Sequence, residues 1–167
     1  MKIKTDFITN SSSSTFVVAF RKKIKTFDDV RFKISRNDKA KQVLKDALSQ
    51  KPRKIEINKQ TIKIITEQLT YGYGFIDYSK HQDDFCDREG ITKNDLYKNR
   101  SWYNAFSNEY KLKDLELCTE KAYEFICANE GSYLYIFNYG DEDGPFMSEM
   151  EHGFTFANIP HITISKH

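Results

Sequence analysis

SSSSTFVVAF (residues 11–20) sets a tract of four serines directly against an apolar run. Thr15–Phe20 is short, β-branched and aromatic, and turn formers precede it, which reads as a buried strand. Such a strand needs partners. GSYLYIFNYG (131–140) alternates and is strongly β-forming. HITISKH (161–167) and FTF (154–156) read as short terminal strands.

Helical patterns lie between these runs. In NDKAKQVLKDALSQKP, Asn37 or Asp38 can cap a helix whose face holds Ala40, Val43, Leu44, Ala47 and Leu48, with Pro52 as its stop. KIEIN reads as a short strand. NKQTIKIITEQLTYG reads as a helix with Ile62, Ile65 and Leu69 on one face and Gly72 at its end, though its Ile and Thr content leaves a strand open. YGYGFIDYSKHQDDFCDREG is the least regular part. Thr92–Asp95 resembles a capping box with Asp in place of Glu or Gln. The helix after it places Leu96, Tyr103, Phe106 and Tyr110 on one stripe, and a second helix covers about 114–129 or starts later, at Thr119. DEDGP reads as a turn. The expectation is a single α+β domain over 1–167, a small mixed or antiparallel sheet joining the N-terminal strand to the C-terminal ones and packed with three to four helices.

Composition sets the class. With 13 Phe, 10 Tyr and 39% hydrophobic residues, the chain is rich enough to fold around a core. No apolar run approaches the ~18 residues of a membrane-spanning helix, and no secretory signal is legible. Cys86, Cys118 and Cys127 form no CxxC pair and no even framework, so reduced thiols and a cytoplasmic location are expected.

Charge is divided along the chain. Residues 1–65 carry 17 Lys/Arg against 6 Asp/Glu, and residues 66–167 carry 9 against 18. Arg21, Lys22, Lys23, Lys25, Arg31 and Lys33 form the densest basic cluster, a candidate docking patch for an acidic protein or a phosphate backbone. The alternatives are a solvated basic face and pairing with the acidic half inside the fold.

The serine tract runs straight into a strand, which a linker would not do. Asn10, Ser11, Ser12, Ser13 and Ser14 can form a polar turn leading into the strand, with hydroxyls satisfying backbone groups and Asn10 able to take a left-handed conformation. The same hydroxyls could instead line a polar groove or an anion site.

TDFITNSSSSTF (5–16) resembles the N-terminal stretch of a family of small uncharacterised proteins of Firmicutes bacteria and their phages. The end of the chain, GDEDGPFMSEMEHGFTFANIPHITISKH, is similar to theirs as well. There an acidic turn precedes Glu-His-Gly and a final strand containing His. The resemblance covers about 45 to 50 residues. It implies a lineage and transfers no catalytic residue.

The same C-terminal region concentrates polar chemistry. Glu149 and His152 stand three residues apart, on one face if helical, as in carboxylate-bridged metal sites. In the last strand, period two puts Ile162 and Ile164 on one side and His161, Thr163, Ser165 and His167 on the other. Glu149, Glu151, His152 and His161 are therefore the candidate ligands for a divalent metal, although no cofactor is predicted. Three functions compete. The preferred one is a non-enzymatic module docking on another protein through a charged surface. The others are a small metal-dependent enzyme built on the Glu/His cluster and a nucleic-acid binder using the basic half. No RRM, KH or helix-turn-helix signature supports the last, and no membrane partner is expected.

Overall fold

The structure, a computed structural model, describes residues 13–70 and 75–166. Asn10, Ser11, Ser12, Gly72 and His167 lie outside the described residues. The fold is α+β, with seven α-helices and a four-stranded antiparallel sheet among the described residues. The chain divides into two compact units. One comprises the residues up to Lys54 together with those from Gly131 onward; the other is Ile55–Glu130.

The first unit contains the sheet, in the order β2-β3-β1-β4. Strand β1 (Ser13–Phe20) lies between β3 (Tyr133–Gly140) and β4 (His161–Lys166). Every residue of β1 from Ser14 to Phe20 is buried, as its apolar run requires. The register sets Phe16 opposite Phe137 and Thr163, and Val18 opposite Tyr135 and His161. Partners across a ladder share a face, so β1 and β3 project Phe16, Val18, Phe20, Tyr135, Phe137 and Tyr139 to one side. That side packs on Val30 of α1 (Asp28–Arg31), on Ala40, Val43 and Ala47 of α2 (Asn37–Leu48), on Met150 of α7 (Pro145–His152) and on Phe156.

Strand β2 is only Arg53–Lys54, paired with Leu134 and Tyr133. Beyond it, the Gln50 amide continues the edge of β3. Its nitrogen donates to the Ile136 carbonyl at 2.8 Å and its oxygen accepts from the Ile136 N–H at 3.0 Å. One side chain thus satisfies two groups that a longer strand would have paired.

Three expectations in this unit are corrected. Residues 154–156 are not a strand: Phe154 has φ of 52° and stands exposed, which breaks the extended chain, while Phe156 turns inward onto Phe16 and Phe137. Asn37 and Asp38 do not cap α2; they are its first residues, and Arg36 precedes them in extended conformation with its guanidinium 2.6 Å from Asp38. Leu48, expected on the apolar face of α2, is exposed because the helix ends there.

The second unit is helical: α3 (Lys59–Thr70), α4 (Tyr78–Glu89), α5 (Lys93–Lys98) and α6 (Arg100–Ala128). α3 buries Ile65 and Leu69 and packs along α6. The stretch read as least regular contains α4. Asp77 caps it by accepting from the Lys80 N–H at 3.0 Å, and Gly90 ends it at φ 67°. The Thr92–Asp95 capping box forms as expected and starts α5. Asn99 then breaks the chain and caps α6 by accepting from Ser101. α6 continues unbroken to Ala128, so the two helices expected around 95–129 are redrawn, with the break at Asn99 instead of near 114–119.

Phe85, Cys86, Leu96 and Phe106 form an apolar cluster in this unit. Beside it, Arg88 and Lys113 converge on Glu109 at 2.6 and 2.9 Å. These hydrogen bonds hold the Glu109 carboxyl down at about 2. His81 is buried, stacked on Phe106 at 5.6 Å, with Nε2 lacking a hydrogen-bond partner among the described residues. Burial lowers its pKa, and the nearby Lys113 and Arg88 push the same way, against Glu109 and Asp84.

Candidate functional site

The basic cluster lies in the first unit, on the segment that leaves β1 and leads into α1. That segment is pinned from beneath. The Ile24 side chain is buried in the core, and its N–H donates to the Tyr135 hydroxyl at 2.9 Å. Asp29 accepts from the Lys25 and Thr26 N–H groups, both at 2.8 Å, and from the Thr26 hydroxyl at 3.1 Å. The two backbone hydrogen bonds hold the Asp29 carboxyl below its usual range. With Ile24 pulled in and the turn tied to Asp29, the side chains of Arg21, Lys22, Lys23 and Lys25 stand outward, all exposed. No carboxylate lies within ion-pair distance of any of these four among the described residues.

These four side chains wall a cavity of about 630 Å³, with Thr26, Asp29, Lys54, Gly131 and Tyr133. Lys23 Nζ sits 5.4 Å from the centre of the Tyr133 ring. Lys54 and Tyr133 join because the β2–β3 register places them side by side. Sequence reading missed both, and a pairing register is the signal that would have found them. A second cavity of about 520 Å³ shares Arg21, Lys22 and Asp29. Its other walls are Ala19, Phe20, Asp28, Lys33, Asn158, Ile159 and Pro160. Among these, the Ala19 N–H donates to the Pro160 carbonyl at 2.9 Å.

Of the six cations expected in the patch, Arg21, Lys22, Lys23 and Lys25 come together around the first cavity and Lys33 lines the second. Arg31 stands apart. It pairs with Asp28 at 3.0 Å and lies over the Phe32 ring at 4.3 Å.

Of the serine tract, Ser13 and Ser14 are strand residues instead of a turn leading into one. The buried Ser14 hydroxyl donates to the Glu151 carboxylate at 3.0 Å and stands 3.4 Å from Ser165 Oγ, where backbone partners were expected. The reason is register: Ser14 pairs with Ser165, and α7 brings Glu151 to the same end of the sheet.

The Glu/His candidates do not gather at one point. Glu149 binds Arg36 at 2.6 Å. Glu151 takes the Ser14 hydroxyl and lies 3.5 Å from His152 Nε2. His161 turns its Nδ1 to the Ile159 carbonyl at 2.8 Å, and its ring sits near Phe16 and Phe156. The expected convergence of Glu149, Glu151, His152 and His161 on one point is therefore not seen, and among the described residues no three His, Cys, Asp or Glu side chains are placed to hold one metal ion. Cys86 and Cys118 are buried, Cys127 is exposed, and all three are free thiols. No described helix is long and apolar enough to cross a membrane.

No family model, no curated protein and no solved structure matches the chain.

Proposed function

We propose that the chain is a docking module that captures an acidic segment of a partner protein in the basic cavity of its first unit. The observation supporting this is the convergence of Arg21, Lys22, Lys23, Lys25 and Lys54 on one cavity, on a turn held in place before any partner arrives. Preorganisation matters because ordering a flexible loop on binding would consume part of the interaction energy. The cations form a short cluster and not an extended track, since Arg31, further along the chain, is already paired to Asp28, and a short cluster suits a few carboxylates. We further propose a cytoplasmic location, supported by the three free thiols.

Nucleic acid is the second reading, favoured by the Tyr133 ring inside the cavity, where a base could stack. Anisotropy titrations of a labelled all-acidic peptide and a labelled single-stranded oligonucleotide, each at two salt concentrations, separate the two. The docking reading expects the peptide to bind with a mild salt dependence. It also expects Lys22→Glu/Lys23→Glu to weaken binding by about tenfold or more. No peptide binding at low salt removes that reading. Preferential oligonucleotide binding that falls steeply with salt replaces it with the second.

A further inference from the structure

In the basic cavity five cations face one acid. Arg21, Lys22, Lys23, Lys25 and Lys54 are all exposed on its walls, and none has a carboxylate within ion-pair distance among the described residues. The acid, Asp29, already accepts the Lys25 and Thr26 N–H groups. The cavity therefore offers positive charge that its own surroundings do not neutralise.

The helical unit carries the opposite charge in a form that matches. On α6, Glu116, Glu120 and Glu124 follow one another at intervals of four residues, and all three are exposed. That spacing places them on one face, about 6 Å apart along the axis, where like charges repel. No Lys or Arg nitrogen lies within ion-pair distance of any of them among the described residues. Beyond Lys113, the only cation of α6 is Lys121, which stands over the Phe75 ring at 5.1 Å. The acids of α4 differ, since Asp83 is paired with Lys93 and Glu89 with Arg88. Leu112, four residues before Glu116, and Tyr123, three after Glu120, border the ridge and are 63% and 49% exposed. Covering the ridge would also remove their apolar surface from water.

We infer that the acidic segment taken by the basic cavity belongs to a second copy of the chain: the α6 ridge of one copy lies across the mouth of the other copy's cavity, with the carboxylates of Glu116, Glu120 and Glu124 reaching its cations. This rests on the docking reading and names its partner. Each copy presents both halves of the contact, so copies join head to tail. The helix fixes the spacing of the carboxylates and the pinned turn fixes the cations, so neither side has to be ordered on association. Attraction between exposed charges of this kind is screened by salt.

Sedimentation velocity of the full chain tests this, under reducing conditions because Cys127 is exposed. Head-to-tail pairing expects a mass that rises with concentration at low salt and falls back at high salt. Lys22→Glu/Lys23→Glu removes the cavity's half of the contact and Glu120→Gln/Glu124→Gln the ridge's half, and each should weaken self-association by about tenfold or more. Mixed in equal amounts, the two variants retain one intact cavity and one intact ridge between them. They should therefore pair with each other at near wild-type affinity and stop at a 1:1 complex. An excess of an all-acidic peptide should dissociate the wild-type assembly, a readout that needs no variant. A wild type that is monomeric at every concentration overturns the inference; if the labelled all-acidic peptide still binds it, the docking reading stands, and if the peptide does not bind, both fall. Self-association that survives in folded Glu120→Gln/Glu124→Gln, an assembly indifferent to the peptide, or folded variants that do not pair when mixed also overturn it, with circular dichroism as the check on folding.

Discussion

The two units bring aromatic rings together in different ways. On β3, Tyr135, Phe137 and Tyr139 lie nearly parallel, with interplanar angles of 12° and 17°. The strand imposes this, because residues two apart project side by side from one pleated face. In the helical unit the rings of Tyr78, Phe85 and Phe106 meet edge-on, at 83° for Tyr78–Phe106 and 72° for Phe85–Phe106. Phe106 lies on α6 and the other two on α4, so no ladder fixes the angles, and these two contacts adopt the edge-to-face arrangement that ring quadrupoles favour. Along β3 the strand sets neighbouring rings parallel; between α4 and α6 packing sets Phe106 edge-on to Tyr78 and Phe85.

The sheet unit should therefore be the less forgiving of the two. Phe137→Ala removes a ring clasped by Tyr135, Tyr139 and Phe156 and leaves a cavity that hydrogen-bonded strands cannot close. A loss of about 3–5 kcal/mol is expected in urea unfolding, and Phe106→Ala should sit toward the lower end because helices can shift inward. Equal losses, or a larger one at Phe106, would break the comparison.

Next in size is Gly153→Ala, at the end of α7. The buried Lys39 ammonium donates to the Glu149 carbonyl at 2.9 Å and to the Gly153 carbonyl at 3.2 Å, meeting the negative end of the helix dipole. A methyl group at 153 would run into both Lys39 Nζ and the Glu149 carbonyl. About 1–3 kcal/mol should be lost. Adding Lys39→Met should not restore it, since the carbonyl is backbone; full rescue by that change in a thermal melt would disprove the account.

The smallest effect concerns pH and the helical unit. Because His81 has its pKa lowered in the fold, the folded state holds fewer protons than the unfolded one. Its contribution is present above the ordinary imidazole value of about 6.5 and is lost as pH falls below it. His81→Phe keeps the ring against Phe106 and removes the proton. The variant should lose less stability than the wild type between about pH 7.5 and 5.5, measured as urea midpoints. An unchanged pH slope would show that His81 is not the titrating group.

What could be read from the sequence divides along the same line. β1 and β3 were legible because a strand's own composition announces it, and Thr15–Phe20 is buried almost throughout. α4 was not, because its buried face uses His81 and Gln82 beside Phe85 and Cys86, and hydrophobic periodicity does not count polar residues. Its punctuation, Asp77 and Gly90, was in plain view. Arg21, Lys22, Lys23 and Lys25 could be named because they are neighbours in sequence. Lys54 and Tyr133 could not, since only pairing between distant strands brings them to that cavity. The serine tract showed its polarity but not its partner, because Glu151 is 137 residues away from Ser14.

The pairing of β2 with β3 also governs how the chain is assembled. Lys54 lies opposite Tyr133, so the whole of Ile55–Glu130 is strung between two hydrogen-bonded neighbours, where a simple hairpin would have a tight turn. Bringing the ends of so long an unstructured excursion together costs on the order of 4 kcal/mol in chain entropy. A segment that folds first and delivers its own two ends close together removes that cost from the sheet. In that sense the helical excursion serves as the turn between β2 and β3, and its own fold shortens the path that joins them.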